Sequence, residues 1–432
     1  MTGHISRREA LQAGLLTLVL LGGCGEPQAS GKGAPLQLTY WGGIERMRRT
    51  NQAITLFTRQ YPTIGISAQA MAWQGYWDKL ATRIAGGSVP DLIQMDTRYL
   101  ALYIQKGILL DISNYTSNLL SLTDFDQRLL TGNFFQQRLY GIPLGGHFVS
   151  LIYDHTLLEQ AGIEPPAAAL TWDRFATYTR QLTRALKSKV FGTNDPSGSI
   201  PIFEMFIRQR GKEMFTETGS LNLEAQDLID WWSYWEELRR SGGCISADAQ
   251  LAFSRAYDPG QSALIAGQVA IDFVSTNFLE SLQKLTKHTL ALAIPPLGQH
   301  PGLYFKATML LSGAARTAHP EDVVRFLNFV IHDTETARVL GMDRGLPGTQ
   351  QARDALFPTM NMVQRKALDY IRQVANPPHS TPKSLLDPPA AGEIEQILQR
   401  MADGVKLHMQ SIPEAADRFL RESEKAIKDK AS

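Results

Sequence analysis

The chain has 432 residues, of which 44% are hydrophobic and 20% charged, and its formal net charge at pH 7 is +1. A chain of this length exceeds one compact domain and predicts two or three domains. The nearly balanced charge argues against the extended positive field that draws proteins to nucleic acid or anionic membranes. We therefore expect no nucleic-acid partner.

The N-terminus has the pattern of an export signal. Residues 10–23 form an apolar run of 14 residues behind Arg7 and Arg8, whereas a membrane-spanning helix needs about 20. A positive flank, a short apolar run and a small-residue end predict a signal peptide over residues 1–23. The pattern fits export by the general secretory route and by the twin-arginine route.

The signal ends in LGGC, which resembles the lipobox of bacterial lipoproteins. The resemblance implies that Cys24 becomes the lipidated first residue of a mature protein in the periplasm or on the outer face of the cytoplasmic membrane. The sequence has two cysteines, so a lipidated Cys24 leaves Cys244 as a single thiol without an internal disulfide. Residues 24–35 are rich in small and polar residues and predict a flexible tether.

Strand-like and helix-like segments alternate after the tether. LQLTYW alternates apolar and polar residues and predicts a strand, and a helical stripe of apolar residues follows until Pro62. IGISAQAMAW predicts a second strand, QGYWDKLATRIAGG a helix closed by two glycines, and PDLIQMD a third strand. This order indicates an α/β fold with a mostly parallel sheet and helices on both sides. The C-terminal third is patterned mainly as helices, and a mid-helix cluster of tryptophans (Trp231, Trp232 and Trp235) is interpreted as core.

Several segments in a fixed order resemble the extracellular solute-binding proteins of ABC importers, in the branch that binds maltose and oligosaccharides. They include YWGG, KLATRIAGGSVPDLIQMDTRYLALYIQKGILLDIS, LYGIPLGGHFVSLIYD, LTWDRF, ALIAGQVAIDFVSTN, LALAIPPLG and HPEDVVRFLNFVIHDTETARVLGMDRGLPG. The resemblance extends from about Leu36 to Lys428. It implies a type II periplasmic-binding-protein fold of two α/β lobes, each with a mostly parallel sheet flanked by helices, that the chain crosses three times.

The resemblance places the crossings in GGHFVSLIYD, in LALAIPPLG and near Thr349. The implied first lobe is residues 36–146 and 297–348, and the second is residues 147–296 and 349–432. Gly145 and Gly146 suit a hinge because glycine adopts unusual backbone dihedrals, and two prolines in the second crossing would fix the direction of the chain. Ordinary loop residues are the alternative interpretation of both pairs.

The first candidate binding loop follows the first strand, because ligands of open α/β sheets bind beyond the carboxyl ends of the strands. Trp41 offers a flat apolar face to a sugar ring, and Gly42 lets backbone N–H groups approach a ligand at a helix N-terminus. Glu45 and Arg46 can accept from and donate to hydroxyls, and the resemblance implies an acidic and a basic residue here. The alternatives are a core role for Trp41 and a helix-surface role for the charged pair.

Two more loops follow the second and third strands. In the first of them Trp73 is the candidate for stacking on a sugar, while Tyr76 and Trp77 are as well explained by packing. In the second, Asp96 and Tyr99 follow the buried strand, and Asp96 is a candidate acceptor for ligand hydroxyls. Because Asp also favours the position before a helix, Asp96 is equally a candidate N-cap.

The resemblance implies that the second lobe and the crossings supply the other wall of the cleft. His147 stands before the first crossing, Phe203 stands where the family brings an aromatic into the cleft, and Arg344 lies near the third crossing. Asn277 occupies the place where relatives often carry a stacking tryptophan. That departure puts the usual stacked glucoside in doubt.

These features favour a binding protein that closes its lobes on a sugar or oligosaccharide and delivers it to a membrane permease. We expect a monomer with no catalytic residue, no metal and no cofactor. One alternative is a non-sugar solute such as glycerol-phosphate or a polyamine. Others are a carbohydrate-active enzyme that uses carboxylates such as Asp96 and Glu45, and a secreted interaction or sensory protein on the same fold.

Overall fold

The structure is a computed structural model that describes residues 34–253, 259–383 and 385–431. The predicted signal peptide, Cys24 and most of the predicted tether lie outside these residues. The strands are β1 Leu36–Trp41, β2 Ile66–Met71, β3 Leu92–Met95, β4 Phe134–Phe135, β5 Arg138–Leu139, β6 Ile142–His147, β7 Val149–Asp154, β8 Phe191–Thr193, β9 Val269–Ser275, β10 Leu290–Ala293 and β11 Lys306–Gly313.

The helices lie between these strands and fill the C-terminal third, as the sequence pattern predicts. They are α1 Ile44–Gln60, α2 Tyr76–Ala85, α3 Thr97–Gln105, α4 Gln127–Thr131, α5 His155–Ala161, α6 Trp172–Ala185, α7 Ile200–Arg208, α8 Ala225–Arg240, α9 Ala247–Leu251, α10 Leu279–Gln283, α11 Pro320–His332, α12 Thr334–Leu340, α13 Gln350–Leu356, α14 Met362–Val374, α15 Ala391–Lys406 and α16 Ile412–Ala431.

Two separate sheets divide the described chain into two lobes. The first sheet has the order β2-β1-β3-β11-β6, in which only β11 runs against the other strands. The second has the order β10-β7-β9-β8, in which only β7 is reversed. Each sheet is therefore mostly parallel in strand direction, as expected, with one reversed strand. We call the first sheet with the helices packed on it lobe one, and the second sheet with its helices lobe two.

The local predictions for the first two hundred residues rest on recognisable signals. The alternating segment LQLTYW is β1, and α1 ends just before Pro62, which cannot continue the hydrogen-bonding pattern of a helix. Two glycines end α2, and Gly87 adopts a positive φ of 74° that suits a glycine. The predicted tryptophan core is confirmed, because Trp231, Trp232 and Trp235 are at most 1% exposed and pack within lobe two.

The chain passes between the sheets near the predicted places, with two differences from the expected limits. β6 runs through His147, so that residue belongs to the sheet of lobe one, and Phe148 alone separates β6 from β7. Helix α13 packs against α11 and α12 of lobe one, whereas α14 packs against α10 and β10 of lobe two. The third crossing therefore follows α13 rather than Thr349, which caps that helix.

Gly145 and Gly146 are required for a reason other than the predicted one. Both lie inside β6, and neither has a positive φ. A Cβ atom on Gly145 would lie 2.2 Å from the carbonyl oxygen of Arg344, and one on Gly146 would lie 2.3 Å from the ring of Phe305. Close packing at the crossing, and not an unusual dihedral, therefore excludes a side chain at these positions.

Candidate functional site

A cavity of about 1140 Å³ lies between the two lobes. The lobe-one wall comes from the segments that follow β2 and β3, and the lobe-two wall comes from the segments that follow β8 and β9 and from α15. Strand ends from both sheets therefore meet at one place, which is where open α/β sheets bind ligands. Two of the three loops proposed from the sequence, those after β2 and β3, contribute to the lobe-one wall.

Aromatic rings dominate the lobe-one wall. Trp73, Trp77 and Tyr99 line the cavity, and the rings of Trp77 and Tyr99 are stacked with centroids 3.8 Å apart and planes 12° apart. Trp41 lies behind them, only 7% exposed, with its ring centroid 4.9 Å from that of Trp73. Tyr76 is fully buried and donates its hydroxyl hydrogen to the carbonyl oxygen of Gln94, so it packs the wall from inside.

The lobe-two wall combines many hydrogen-bonding side chains with apolar ones. The lining side chains able to hydrogen-bond through an amide or a hydroxyl are Asn194, Ser199, Gln250, Gln261, Ser262, Ser275, Gln396, Gln399 and Gln410. Leu251 and Met409 also line this wall, and their side chains are 48% and 76% exposed. This wall can therefore satisfy ligand hydroxyls while the opposite wall covers C–H faces.

Two carboxyls of the lobe-two wall, the buried Asp195 and the partly buried Asp272, differ in their surroundings. Asp195 is ion-paired with Arg239 and lies 3.5 Å from the ammonium of Lys406; burial opposes ionisation, but these cations keep its pKa below the usual value. Asp272 has no ion pair with any residue that the structure describes. Burial raises the pKa of Asp272 to about 7, although hydrogen bonds from the Phe273 N–H and from Asn194 favour its charged form.

Asp96 does not line the cavity. It is the N-cap of α3, accepting from the Arg98 N–H, and the Arg98 guanidinium reaches both of its carboxylate oxygens at 3.0 and 3.1 Å. Burial would raise the pKa of Asp96, but the charge and hydrogen bonds of Arg98 outweigh burial and hold it well below the usual value. The alternative proposed for Asp96, the helix cap, is what the structure shows.

Arg98 also joins the two lobes. Its guanidinium forms an ion pair with Glu395 of α15, and Glu395 is a lining residue of the cavity. Burial raises the pKa of Glu395, and Asp96 adds to that effect while Arg98 opposes it. The pair therefore couples a charged group on the cavity wall to the relative position of the lobes.

His147 is buried near the charged side chains of Asp96 and Arg98. It ends β6 opposite Lys306 of β11, and its Nδ1 lies 3.0 Å from the hydroxyl oxygen of Thr308. Burial and the positive charge of Lys306 lower the pKa of His147 to about 3. His147 is therefore a neutral residue in the sheet of lobe one, and it does not line the cavity.

The loop after β1 contacts the segment between α12 and α13 instead of the cavity. Arg46 forms an ion pair with Asp343 at 2.9 Å, and its side chain passes directly over Gly42. Glu45 pairs with two arginines of its own helix, as in the helix-surface alternative. Arg344 is 5% exposed and donates to the Thr50 hydroxyl at 2.8 Å. This cluster joins α1 to the segment between α12 and α13, within lobe one.

Phe203 and Asn277 are also buried outside the cavity lining. Phe203 lies within α7, and its ring contacts Trp231 in the core of lobe two. Asn277 is 6% exposed in a short turn, and its Oδ1 has no hydrogen-bond partner among the described residues. Its neighbours Ser275 and Phe278 line the cavity. Of the eleven predicted ligand-binding residues, Trp73 and Tyr99 thus line it, and ligand contact by any of them stays a prediction.

Most residues of the wall are not predicted from the sequence, and Trp77, Asp272 and Glu395 illustrate why. Trp77 is as well explained by packing from the sequence, because its neighbour Tyr76 shares a core stripe with Leu80. Asp272 gives a signal that could have found it, since it is a lone charge in the apolar strand VAIDFVS. Glu395 gives none, because its role depends on Arg98, which is 297 residues away in the chain.

Within residues 34–253, 259–383 and 385–431, no group of three or more His, Cys, Asp or Glu side chains is arranged to hold a metal ion. Over the same residues no helix combines the length and the apolar character needed to cross a membrane.

Comparisons of sequence identify relatives. The sequence profile described as bacterial extracellular solute-binding protein matches residues 41–335, more than half of the chain. A protein of Brucella abortus (strain 2308) described as a candidate binding protein is 26% identical over 245 residues, which are 56% of this chain and 59% of that protein. The chain thus spans about 59% of the length of the curated relatives that it matches.

Solved structures share the fold. A periplasmic oligogalacturonide binding protein of Yersinia enterocolitica, in complex with saturated digalacturonic acid, is 20% identical with a TM-score of 0.81 over 92% of this chain and 100% of that chain. An ABC substrate-binding protein of Listeria monocytogenes, in complex with cycloalternan, is 19% identical with a TM-score of 0.76 over 91% of this chain and 100% of that chain. The fold is the two-lobed α/β fold of periplasmic solute-binding proteins.

Proposed function

Because the chain belongs to the family of bacterial extracellular solute-binding proteins, we propose that it captures a sugar or oligosaccharide in the cleft between its lobes and delivers it to an ABC importer. The observation that carries this proposal is the cavity of about 1140 Å³ with one aromatic and one hydrogen-bonding wall. Small-molecule sites usually occupy about 300–1,000 Å³. The volume therefore favours an oligosaccharide over a single sugar.

The two walls supply different parts of the recognition. Trp73 and Trp77 offer apolar aromatic surface for the C–H faces of sugar rings, which adds affinity with little dependence on stereochemistry. The amides and hydroxyls of lobe two pair with ligand hydroxyls, and an unpaired buried polar group costs about 1–3 kcal/mol. The polar wall therefore discriminates among sugars, and both solved relatives described above hold saccharides.

Lobe closure is the proposed means of delivery. A ligand that contacts both walls stabilises the closed arrangement over the open one, because an equilibrium shifts only by differential affinity. The permease subunits then recognise the closed protein, which acts as a monomer. No step in this proposal makes or breaks a bond in the ligand, so the ligand is recovered unchanged after release.

Export and anchoring are part of the proposal and rest on residues outside the described structure. The signal pattern ending at Cys24 supports a lipid anchor that holds the protein beside its permease. Full-length protein expressed in a bacterial host is expected in the detergent-extracted membrane fraction. Replacement of Cys24 by Ser is expected to release it, and an unchanged membrane fraction would contradict the anchor.

The test of the binding function is a thermal-shift screen of the mature chain with Cys24→Ser. The panel contains neutral, acidic and amino oligosaccharides together with glycerol-phosphate and a polyamine. A ligand that binds only the folded state at a hundredfold excess over Kd stabilises it by about 2.7 kcal/mol. A saturable response to saccharides supports the proposal, and a response to the non-sugar ligands alone overturns it.

A further inference from the structure

The charged side chains of the cavity wall are unequal in number. Among the described residues, five carboxylic acids and three basic side chains line it. The carboxylic acids are Asp78, Asp195, Asp272, Glu395 and Asp403. The basic side chains are Arg400, Lys406 and Arg418. The wall that faces the ligand is therefore richer in negative than in positive groups.

The three basic groups are all engaged by carboxylates of the protein. Lys406 lies 3.5 Å from Asp195 and is buried, and Arg418 lies 3.3 Å from Glu422. Arg400 forms an ion pair with the same Glu422. A ligand carboxylate would have to compete with Asp195 for Lys406 or with Glu422 for Arg400 and Arg418, which weakens its attraction to this wall.

Asp272 is in the opposite situation. It lies on β9 of the lobe-two wall and is followed along the strand by the lining residues Phe273 and Val274. It forms no ion pair within the part of the chain that the structure describes, and the Phe273 N–H and the Asn194 side chain favour its charged form. A buried carboxylate without a counter-ion is costly, and a ligand that brings positive charge to it removes that cost.

Asp78 adds to the same field from the other side. It lies on α2 of lobe one, exposed at the cavity, and no ion pair is found for it among the described residues. A saccharide held between the lobes would therefore meet uncompensated carboxylates on both walls.

Resting on the proposed function, we propose that the cleft selects saccharides by charge. It binds amino sugars more tightly than neutral sugars, and neutral sugars more tightly than uronic acids. Asp272 accepts the hydrogen bond from the amine. The order is the reverse of what a digalacturonic acid site requires, so this chain differs in specificity from the structurally similar protein of Yersinia enterocolitica. A hydrogen-bonded ion pair at Asp272 contributes about a tenfold preference for the amine over the hydroxyl.

The test is titration calorimetry at pH 8 and low salt with disaccharides in three forms, neutral, amino and uronic, in both glucose and galactose configuration. Wild-type protein is expected to bind the amino form about tenfold more tightly than the neutral one, and the uronic form most weakly. Asp272→Asn is expected to remove the preference for the amine, because the amide keeps the shape of the side chain and lacks its charge. Asp369→Asn, an exposed change on α14 of lobe two, is the control and is expected to keep the wild-type order.

The outcomes separate the two proposals. Equal or tighter binding of the uronic form by the wild type overturns the charge order and leaves the sugar-binding function standing. An amine preference that survives in Asp272→Asn overturns the role of Asp272. Failure of every saccharide to bind a folded wild type overturns the proposed function, and the charge order with it.

Discussion

Arg98 of lobe one and Glu395 of lobe two form an ion pair, and Glu395 at the same time lines the cavity between the lobes. A second ion pair across the lobes joins Arg49 of α1 to Glu280 of α10 at 3.3 Å. Among the described residues, charged side chains thus connect the lobes at Arg98 and beside α10, where Lys284 also lies 3.9 Å from Glu45. One of these connections is within reach of a bound ligand.

The first prediction concerns this connection. Glu395→Gln removes the charge that Arg98 meets across the cleft, while Asp96 continues to compensate the guanidinium. We expect the ligand-free variant to shift toward an open arrangement, with a larger radius of gyration by small-angle X-ray scattering. Saturating ligand should restore the radius of gyration of the ligand-bound wild type. The apparent affinity for the ligand should fall by up to about tenfold, because a smaller fraction of the ligand-free variant is in the closed arrangement.

The control for this variant lies on the same helix. Glu393→Gln removes a half-exposed carboxylate whose partner is Lys430 of α16, also in lobe two. It should leave the radius of gyration unchanged. A ligand-free Glu395→Gln protein with the dimensions of the wild type would show that the pair does not hold the lobes together.

The second prediction concerns the close approach at the first crossing. Gly145→Ala places a methyl group 2.2 Å from the backbone oxygen of Arg344, which cannot withdraw as a flexible side chain would. We expect a loss of about 1–3 kcal/mol in the free energy of unfolding, measured by urea titration. Gly43→Ala is the control, because a Cβ there meets no atom within 4 Å and φ is −79°. Equal stability of the two variants would contradict the packing argument.

The third prediction concerns pH. The pKa of Asp272 is raised from 3.8 to about 7 in the folded protein, so the folded state holds a proton that the unfolded state has released between these values. The free energy of unfolding contributed by this group is therefore full below pH 4 and falls as pH rises toward 7. Asp272→Asn should resemble the wild type near pH 4 and be more stable by about 1–3 kcal/mol at pH 8.

Thermal or urea unfolding at both pH values checks this dependence. The Asp369→Asn protein is the control, since its carboxylate is exposed and its removal should change stability little at either pH. A stability difference between Asp272→Asn and the wild type that stays constant from pH 4 to pH 8 would refute the assigned pKa.

The fold was predictable where its cause is local. Alternation in LQLTYW, the proline after α1 and the glycines after α2 are short-range signals, and each marks an element boundary within one or two residues. The tryptophans of α8 could be assigned to the core because they share a helical stripe with leucines. Gly145 and Gly146 were recognised as special, although close packing against a distant segment is what makes them so.

The candidate site was less predictable, because its charges are paired over long distances in the chain. Arg46 has the chemistry of a ligand-binding residue, but Asp343, 297 residues away, takes its guanidinium. Asp96 is likewise saturated by Arg98. Nothing near these residues in the sequence announces their partners. Trp73 and Tyr99 could be found, since their place after a strand end is a local property.

The most direct test of the central claim is calorimetric titration of the wild type and Trp73→Ala with the saccharide that gives the largest thermal shift. If the cavity between the lobes is the saccharide-binding site, we expect one site per chain in the wild type. We expect at least a tenfold loss of affinity in Trp73→Ala, about 1.4 kcal/mol. Tyr61→Ala, which removes a partly buried aromatic of lobe one outside the cavity wall, should bind as the wild type does. Unchanged affinity in a folded Trp73→Ala protein would contradict the assignment of this cavity as the binding site.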